Sequence, residues 1–379
     1  MKVVIAIDSL KGSLTSLQAG EAIKRGIKEE IPDAEVLVRP LADGGEGTVE
    51  ALALGLGGSL EKISVTGPVG KTITAEYGII NDTKTAIIEM SAAAGITKVH
   101  GAELNPLNTT TFGVGEMICD AMEKGCRDFI IGIGGSATND GGLGMLSALD
   151  FKFFDKDGQR IGVYGRDLEK IARISKESVN PMLAECKFSI ACDVTNPLCG
   201  EMGCSSVYGP QKGATPEIVK EMDSWLFEYA KTAAKVFPNT DPDFPGSGAA
   251  GGLGFAFRTF LSGELLGGID LVLSKTDLES YIKDADIVVT GEGRLDFQTA
   301  MGKAPIGVAR LAKKYNKPVV AFAGCVTKEA VECNKSGIDA FFPILREVVD
   351  LDTAMNAEYA AENMTATARQ VFRAINIKL

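Results

Sequence analysis

The run Asp128–Leu149, DFIIGIGGSATNDGGLGMLSAL, restricts this chain more than any other stretch. Phe129-Ile130-Ile131 reads as a short buried strand. It opens into a segment with six glycines between Gly132 and Gly144, carrying Ser136, Thr138, Asn139 and Asp140, and an apolar, helix-like run follows. Glycines let backbone N–H groups crowd round an anion, and short polar side chains add hydrogen bonds without filling the space. Strand, glycine loop and helix start is an arrangement in which α/β proteins hold phosphate. Taken alone, such a loop is better read as a tight turn with no ligand. Its weight comes from repetition.

Val3–Ile7 is a β-branched run ending at Asp8, and Ser9-Leu10-Lys11-Gly12 leads into a helix capped by Ser13 or Thr15 and reaching about Glu30. Val36–Leu41 runs into Ala42-Asp43-Gly44-Gly45 and a helix to about Leu54. From Leu60 the texture changes: Ile63–Thr66, Ile73–Ile80 and Thr85–Met90 read as strands joined by turns, which favours antiparallel pairing. Lys187–Ala191 is a strand ending in Cys192-Asp193-Val194-Thr195-Asn196. Pro216–Val236 is an amphipathic helix with Trp225 as a core anchor, and Gly246–Gly254 opens a helix to about Leu261. Beyond Asp277 the alternation returns, with strand Ile287–Thr290 entering a loop Gly291–Asp296, a helix from about Pro305, strands Val319–Ala323 and Phe341–Ile344, and a terminal helix from about Asp352.

The two ends thus share one rhythm and the middle has another. The expected fold is α/β with two α/β domains. Residues 1–64 plus 279–379 form a doubly wound, mostly parallel-sheet domain, and residues 65–278 an inserted mixed α/β domain, with an active site in the cleft.

A net charge of −11 disfavours nucleic acid or an anionic membrane as partner, since both need a basic surface. It still permits a small polyanion, provided a few Lys or Arg stand at the site. The opening MKVVIAIDSLKG does not read as a signal peptide, because Asp8 cuts the apolar run short. Eight cysteines without paired spacing read as reduced thiols of a cytoplasmic protein, and the cluster Cys192, Cys199, Cys204 does not match a zinc site. The single histidine, His100, sits in a polar turn, which leaves little room for Ser-His or Cys-His catalysis.

Familiar nucleotide signatures fit poorly. Gly67-Pro-Val-Gly70-Lys71-Thr72 has two residues between its glycines where a P-loop needs four, and it lies between strands, so it reads as a hairpin turn. Gly132–Ala137 fits a dinucleotide fingerprint, but Gly141-Gly142 breaks the helix that should follow. A dinucleotide-dependent oxidoreductase using this loop is one alternative, and a non-catalytic small-carboxylate binding protein is another. What stands out is a set of acid-plus-glycine loops with small polar neighbours at Asp8-Ser9, Asp43, Asn139-Asp140, Asp193 with Asn196, and Glu292 to Asp296, with Lys11, Lys212, Arg294 and Lys303 as nearby cations. Together they suit phosphoryl transfer, which needs donors and cations round phosphate, carboxylates for Mg²⁺ and one carboxylate to take a hydroxyl proton.

These same loops carry a specific resemblance. DSLKGSL (Asp8–Leu14), PLADGGEGT (Pro40–Thr48), IGGSATNDGG (Ile133–Gly142), ACDVTNPLCG (Ala191–Gly200), YGPQKGA (Tyr208–Ala214), GAAGGLG (Gly248–Gly254), TGEGRLDFQT (Thr290–Thr299) and GKAPIGVA (Gly302–Ala309) resemble, in order and over nearly the whole chain, those of the bacterial glycerate kinases that are unrelated to P-loop kinases. Departures are small: Leu10 and Leu41 stand where Phe and Met are expected. The resemblance implies ATP-dependent phosphorylation of D-glycerate, usually at the 2-hydroxyl, in a cleft between two α/β domains.

On that footing, Gly134, Gly135, Ser136 and Thr138 are expected to cradle phosphate with Lys212. Asp140 and Glu292 are the expected Mg²⁺ ligands, and Asp8, Ser9, Asp43, Asn139 and Asn196 the expected contacts to D-glycerate. Arg294 would hold the substrate carboxylate and Lys11 the transferring phosphoryl group. Asp193 is the first choice for the base, with Asp296 and Asp43 in reserve.

Overall fold

The computed structural model describes residues 1–42, 45 and 47–377. The chain runs β1 (Lys2–Ile5), helix Ser16–Glu30, β2 (Glu35–Val38) and helix Thr48–Gly55, then β3 (Ser59–Thr66), β4 (Thr72–Ile80) and β5 (Thr85–Glu89). Helix Phe112–Glu123, β6 (Asp128–Gly132), helix Leu143–Ala148, β7 (Lys152–Phe154) and β8 (Arg173–Ser175) follow. Next come β9 (Lys187–Ala191), helices Pro216–Ala234 and Ala249–Leu261, and β10 (Glu264–Leu266). The last third holds β11 (Ile287–Leu295), helix Ala304–Lys314, β12 (Val319–Val326), β13 (Ala340–Pro343) and helices Leu351–Met355 and Ala357–Ile375.

Two compact units result, Met1–Asp43 with Glu50–Leu56 and Ile269–Leu379, and Gly44–Val49 with Gly57–Gly268. These bounds differ from the expected 64/65 and 278/279 for a physical reason. β3 pairs antiparallel with β4 along its whole length, from Ser59↔Ile79 to Thr66↔Thr72, which carries residues 59–64 into the middle unit. At the other end Arg39 donates to the Thr276 carbonyl at 3.0 Å, tying the segment after β10 to the terminal unit.

In the first unit five strands are ordered β13-β12-β11-β1-β2, all parallel. Val3 and Ile5 pack into one cluster with Ile23 and Ile27 of the first helix and Met364 and Phe372 of the last. Val4 and Val288 face the other way by strand alternation and are equally buried, so both faces of the sheet are covered. β11 is longer than expected: residues read as a loop from Gly291 continue the strand, in register with β12 as far as Leu295↔Val326. Gly291 makes this possible, because a Cβ there would run into the Phe322 carbonyl oxygen.

The second unit is built on a six-stranded sheet, β10-β9-β6-β5-β4-β3, antiparallel from β3 to β5 and parallel from β5 to β10. Phe129 and Phe188 stack on it at 4.9 Å between centroids. Trp225 is only half-buried at the edge of this core; Leu226 and Tyr229, on the inward side of the same helix, are the anchors. Among the described residues no helix is long and apolar enough to cross a membrane.

Candidate active site

In the first unit, chain order places the strands 2-1-3-4-5, so successive connections leave β1 toward opposite edges of the sheet. Ligands of open α/β sheets bind outside the carboxyl ends of the strands at such a reversal. A cavity of about 370 Å³ lies there. Asp8, Ser9 and Lys11 reach it from the loop after β1, Glu292, Arg294 and Asp296 from the end of β11, and Lys303 from the start of the next helix. Its other walls are Gly324 and Cys325 of β12, Ile344 and Leu345 after β13, and Leu351, Ala354, Met355, Ala360 and Asn363 of the last two helices.

Local hydrogen bonds fix the charged end. Leu10 N–H donates to the Leu14 carbonyl at 2.8 Å, closing a turn through Gly12 in the left-handed region (φ +80). Thr15 caps the following helix in a capping box with Gln18, as its sequence position predicts. Ser9 N–H donates to Asp8 Oδ1 at 2.7 Å. Thr299 organises the other side: its hydroxyl donates to Glu292 Oε1 at 2.6 Å and accepts from Asp296 N–H at 3.1 Å. Asp296 Oδ1 in turn accepts from the Gln298 and Thr299 N–H groups and so caps the helix Phe297–Ala300, while Oδ2 lies 3.8 Å from Arg294 Nε. The Arg294 side chain is largely exposed.

The glycine loop after β6 belongs to the second unit and is organised differently. Gly134 and Gly135 are exposed, but Ser136 to Asp140 are buried. Lys212, 2% exposed, donates to Ser136 Oγ at 2.8 Å and to the Thr138 carbonyl at 2.6 Å. Burial pushes its amine down to about 8. Ser136, Thr138 and Lys212 therefore build the loop from behind, and the surface left for a phosphate is the Gly134–Gly135 turn. Asp140 is fully buried and accepts four bonds, from Thr111 N–H and hydroxyl and from the Gly142 and Gly144 N–H groups, and desolvation raises its pKa. That carboxylate is saturated by its own chain, so its geometry does not fit the expected Mg²⁺ ligand. Asn139, also fully buried, donates to Ser205 Oγ at 2.8 Å and does not present itself to a substrate.

The GAAGGLG run is explained by packing. Ala250, Gly251 and Gly252 are all left-handed (φ +51, +67 and +92) at the start of their helix. The Gly251 carbonyl accepts from Gly141 N–H at 2.9 Å, and a Cβ on Gly251 would run into the Thr138 carbonyl oxygen. Two glycine clusters far apart in sequence interlock here.

Asp193 is exposed, and its Oδ1 accepts from Gly268 N–H at 2.8 Å. Asn196 is engaged by its own loop, donating to the Met202 carbonyl and accepting from the Tyr208 hydroxyl at 2.6 Å. Asp43 lies outside the described residues. The fingerprint reading of Gly132–Ala137 loses its geometric basis, because the next helix begins only at Leu143.

Residues 3–376 match the glycerate kinase family. The chain belongs to this family. It is therefore an enzyme of the kinase class. It is 46% identical to a glycerate kinase of Haemophilus influenzae over 378 residues, all of both chains. It is equally similar to the glycerate 2-kinase of Escherichia coli, with 97% of this chain and 98% of that one covered. A crystal structure from Salmonella typhimurium LT2, provisionally assigned as glycerate kinase 2, superposes with a TM-score of 0.92 at 46% identity, covering 99% of this chain and 98% of that one. The α/β architecture is that of the family.

Several residues of this site carry no sequence signal of their own. Thr299 could have been found as the N3 partner of a capping Asp296. Asn363 and the apolar wall from Ile344 to Ala360 read as parts of an ordinary amphipathic helix and its approach.

Proposed function

We propose that this protein transfers the γ-phosphoryl group of ATP to the 2-hydroxyl of D-glycerate, giving ADP and 2-phosphoglycerate. The observation that carries the reading is the charge pattern at the strand ends of the first unit, where Lys11, Arg294 and Lys303 share a pocket with Asp8, Glu292 and Asp296. The similarity to the glycerate 2-kinase of Escherichia coli supports the regiochemistry.

Arg294 pairs its planar guanidinium with the glycerate carboxylate, a match of geometry as well as charge. Ser9 and Asp8 take the remaining hydroxyl. Lys11 lies against the γ-phosphoryl oxygens. A carboxylate accepts the 2-hydroxyl proton as the new O–P bond forms and the bond from γ-phosphorus to the bridging oxygen breaks. Asp296, which lines this pocket with its Oδ1 held by the Gln298 N–H, is set up for this; Asp193, whose Oδ1 accepts from the Gly268 N–H in the second unit, is the other candidate. Mg²⁺ is held in kinases by one or two carboxylates plus substrate phosphates; Glu292, with its Thr299 bond, is a described residue that would hold it, and the ion would neutralise phosphate charge. The eight free thiols suit a reducing cytoplasm.

Incubation with ATP, Mg²⁺ and D-glycerate, followed by ³¹P NMR, tests the proposal. ADP with 2-phosphoglycerate is expected. 3-Phosphoglycerate would overturn the regiochemistry, and no phosphoglycerate at all would overturn the activity.

A further inference from the structure

The pocket of the first unit is larger than its charged end. A three-carbon acid occupies a small part of about 370 Å³, a volume within the roughly 300–1,000 Å³ of pockets that enclose drug-sized molecules. The surplus is chemically distinct. Away from Lys11, Arg294 and Lys303, the lining is Ile344, Leu345, Leu351, Ala354, Met355 and Ala360. Leu351 is 74% exposed and Met355 38%, so the mouth carries apolar surface that nothing in the unit covers.

One polar side chain interrupts that wall. Asn363, on the last helix, is 8% exposed, and its Nδ2 has no hydrogen-bond partner. Burying an amide donor unpaired is costly, and a leucine at the same helical position would carry no such cost. Ser13 Oγ, on the wall formed by the loop after β1, is also buried without a partner. A ligand for this cavity therefore has an anionic end, hydroxyl or phosphate oxygens near Ser13, and a flat apolar body with hydrogen-bonding atoms on its edge.

We propose that the apolar end of this pocket is the purine subsite, taking the adenine ring of an adenine nucleotide with Asn363 reading the base edge. The proposal rests on the kinase reading above and says where the donor's base sits. An Asn amide pairs with adenine through two bonds at once, accepting from the N6 amino group and donating to a ring nitrogen. On the edge that carries N7, guanine presents two acceptors, O6 and N7, and cannot satisfy the same pair. The ring lies between Met355, whose thioether makes favourable contacts with aromatic faces, and the aliphatic wall, with its phosphates toward Lys11 and Lys303.

Two measurements test it. In the Asn363→Leu variant, the KM for ATP should rise roughly tenfold or more while that for D-glycerate changes little, and the preference for ATP over GTP should shrink by a similar factor. Independently of any variant, Cys325 is exposed and lines the same cavity. Its alkylation by iodoacetamide in the wild-type protein, followed by mass spectrometry, should be slowed by ADP and much less by GDP. An unchanged KM for ATP in folded Asn363→Leu, or full Cys325 reactivity under saturating ADP, overturns the subsite. If phosphoglycerate still forms in that case, the kinase reading stands alone. If no phosphoglycerate forms, that reading fails, and protection of Cys325, which needs only binding, still decides the subsite.

Discussion

Lys212 Nζ donates to Ser136 Oγ at 2.8 Å from a fully buried position behind the glycine loop. A cation that composition alone would offer to phosphate is thus used to hold the loop. Its second bond, to the Thr138 carbonyl at 2.6 Å, fixes the backbone just past the exposed glycines.

This burial makes a pH prediction. The folded-state pKa of Lys212, about 8, lies below its ordinary 10.5. Between those values the unfolded chain binds more protons, so the contribution to stability is present above 10.5 and is lost as pH falls through 8. Urea unfolding of wild type and Lys212→Met should show the difference moving in favour of wild type by about 2 kcal/mol from pH 7 to pH 9.5. A difference independent of pH would mean that the amine is not carrying a buried charge.

Asp140 should behave as a structural acceptor. Asp140→Asn turns an amide NH₂ toward groups that are all donors, and should cost about 3 kcal/mol in chemical unfolding. Activity that remains should show the wild-type dependence on Mg²⁺. A large rise in the Mg²⁺ needed for half-maximal rate, with stability unchanged, would restore Asp140 as a metal ligand.

Two glycines at positive φ should respond differently to alanine. At Gly251 (φ +67) a Cβ meets the Thr138 carbonyl, whereas at Gly200 (φ +93) it meets nothing within 4 Å. Gly200→Ala should cost only the left-handed strain, about 1 kcal/mol. Gly251→Ala should cost several kcal/mol or fail to fold, because two backbone segments must separate. Thermal unfolding of both variants checks this.

Arg294→Lys keeps the charge and loses the planar fork. The KM for D-glycerate should rise by about tenfold, with a smaller effect on the KM for ATP. Equal effects on both constants would argue against a carboxylate contact.

Asp193→Asn and Asp296→Asn separate the two candidates for proton acceptor. Asparagine at 296 retains an oxygen for the helix cap, so stability should hold while chemistry is tested. The variant that loses about 10²-fold or more in kcat with little change in KM identifies the base. Near-normal turnover in both would remove the carboxylate from the proposed step.

Where this protein became legible from sequence, the information was local. β-Branched runs at Val3–Ile5 and Val319–Ala323, the Thr15 cap and the turn at Gly67–Gly70 follow from backbone preferences and side-chain period, and they yielded the α/β rhythm with its interrupted middle. The same rules could not tell Gly291–Leu295 from a loop, since its strand character comes from pairing with β12. Nor could they rank the polar residues of the loops. Asp140 and Asp296 look alike in sequence, yet one is enclosed by Thr111 and the turn of its own loop, while the other faces a pocket. Which face of a loop turns inward depends on what packs behind it, and for the glycine loop that partner is the GAAGGLG run more than a hundred residues away. The sequence by itself determined that strands end in acid-and-glycine loops beside cations, a composition suited to phosphate. Only the tertiary structure decided which of those groups are spent on holding the loops and which, with Asn363 from the last helix, line a cavity, because burial is set by non-local packing that no single stretch encodes.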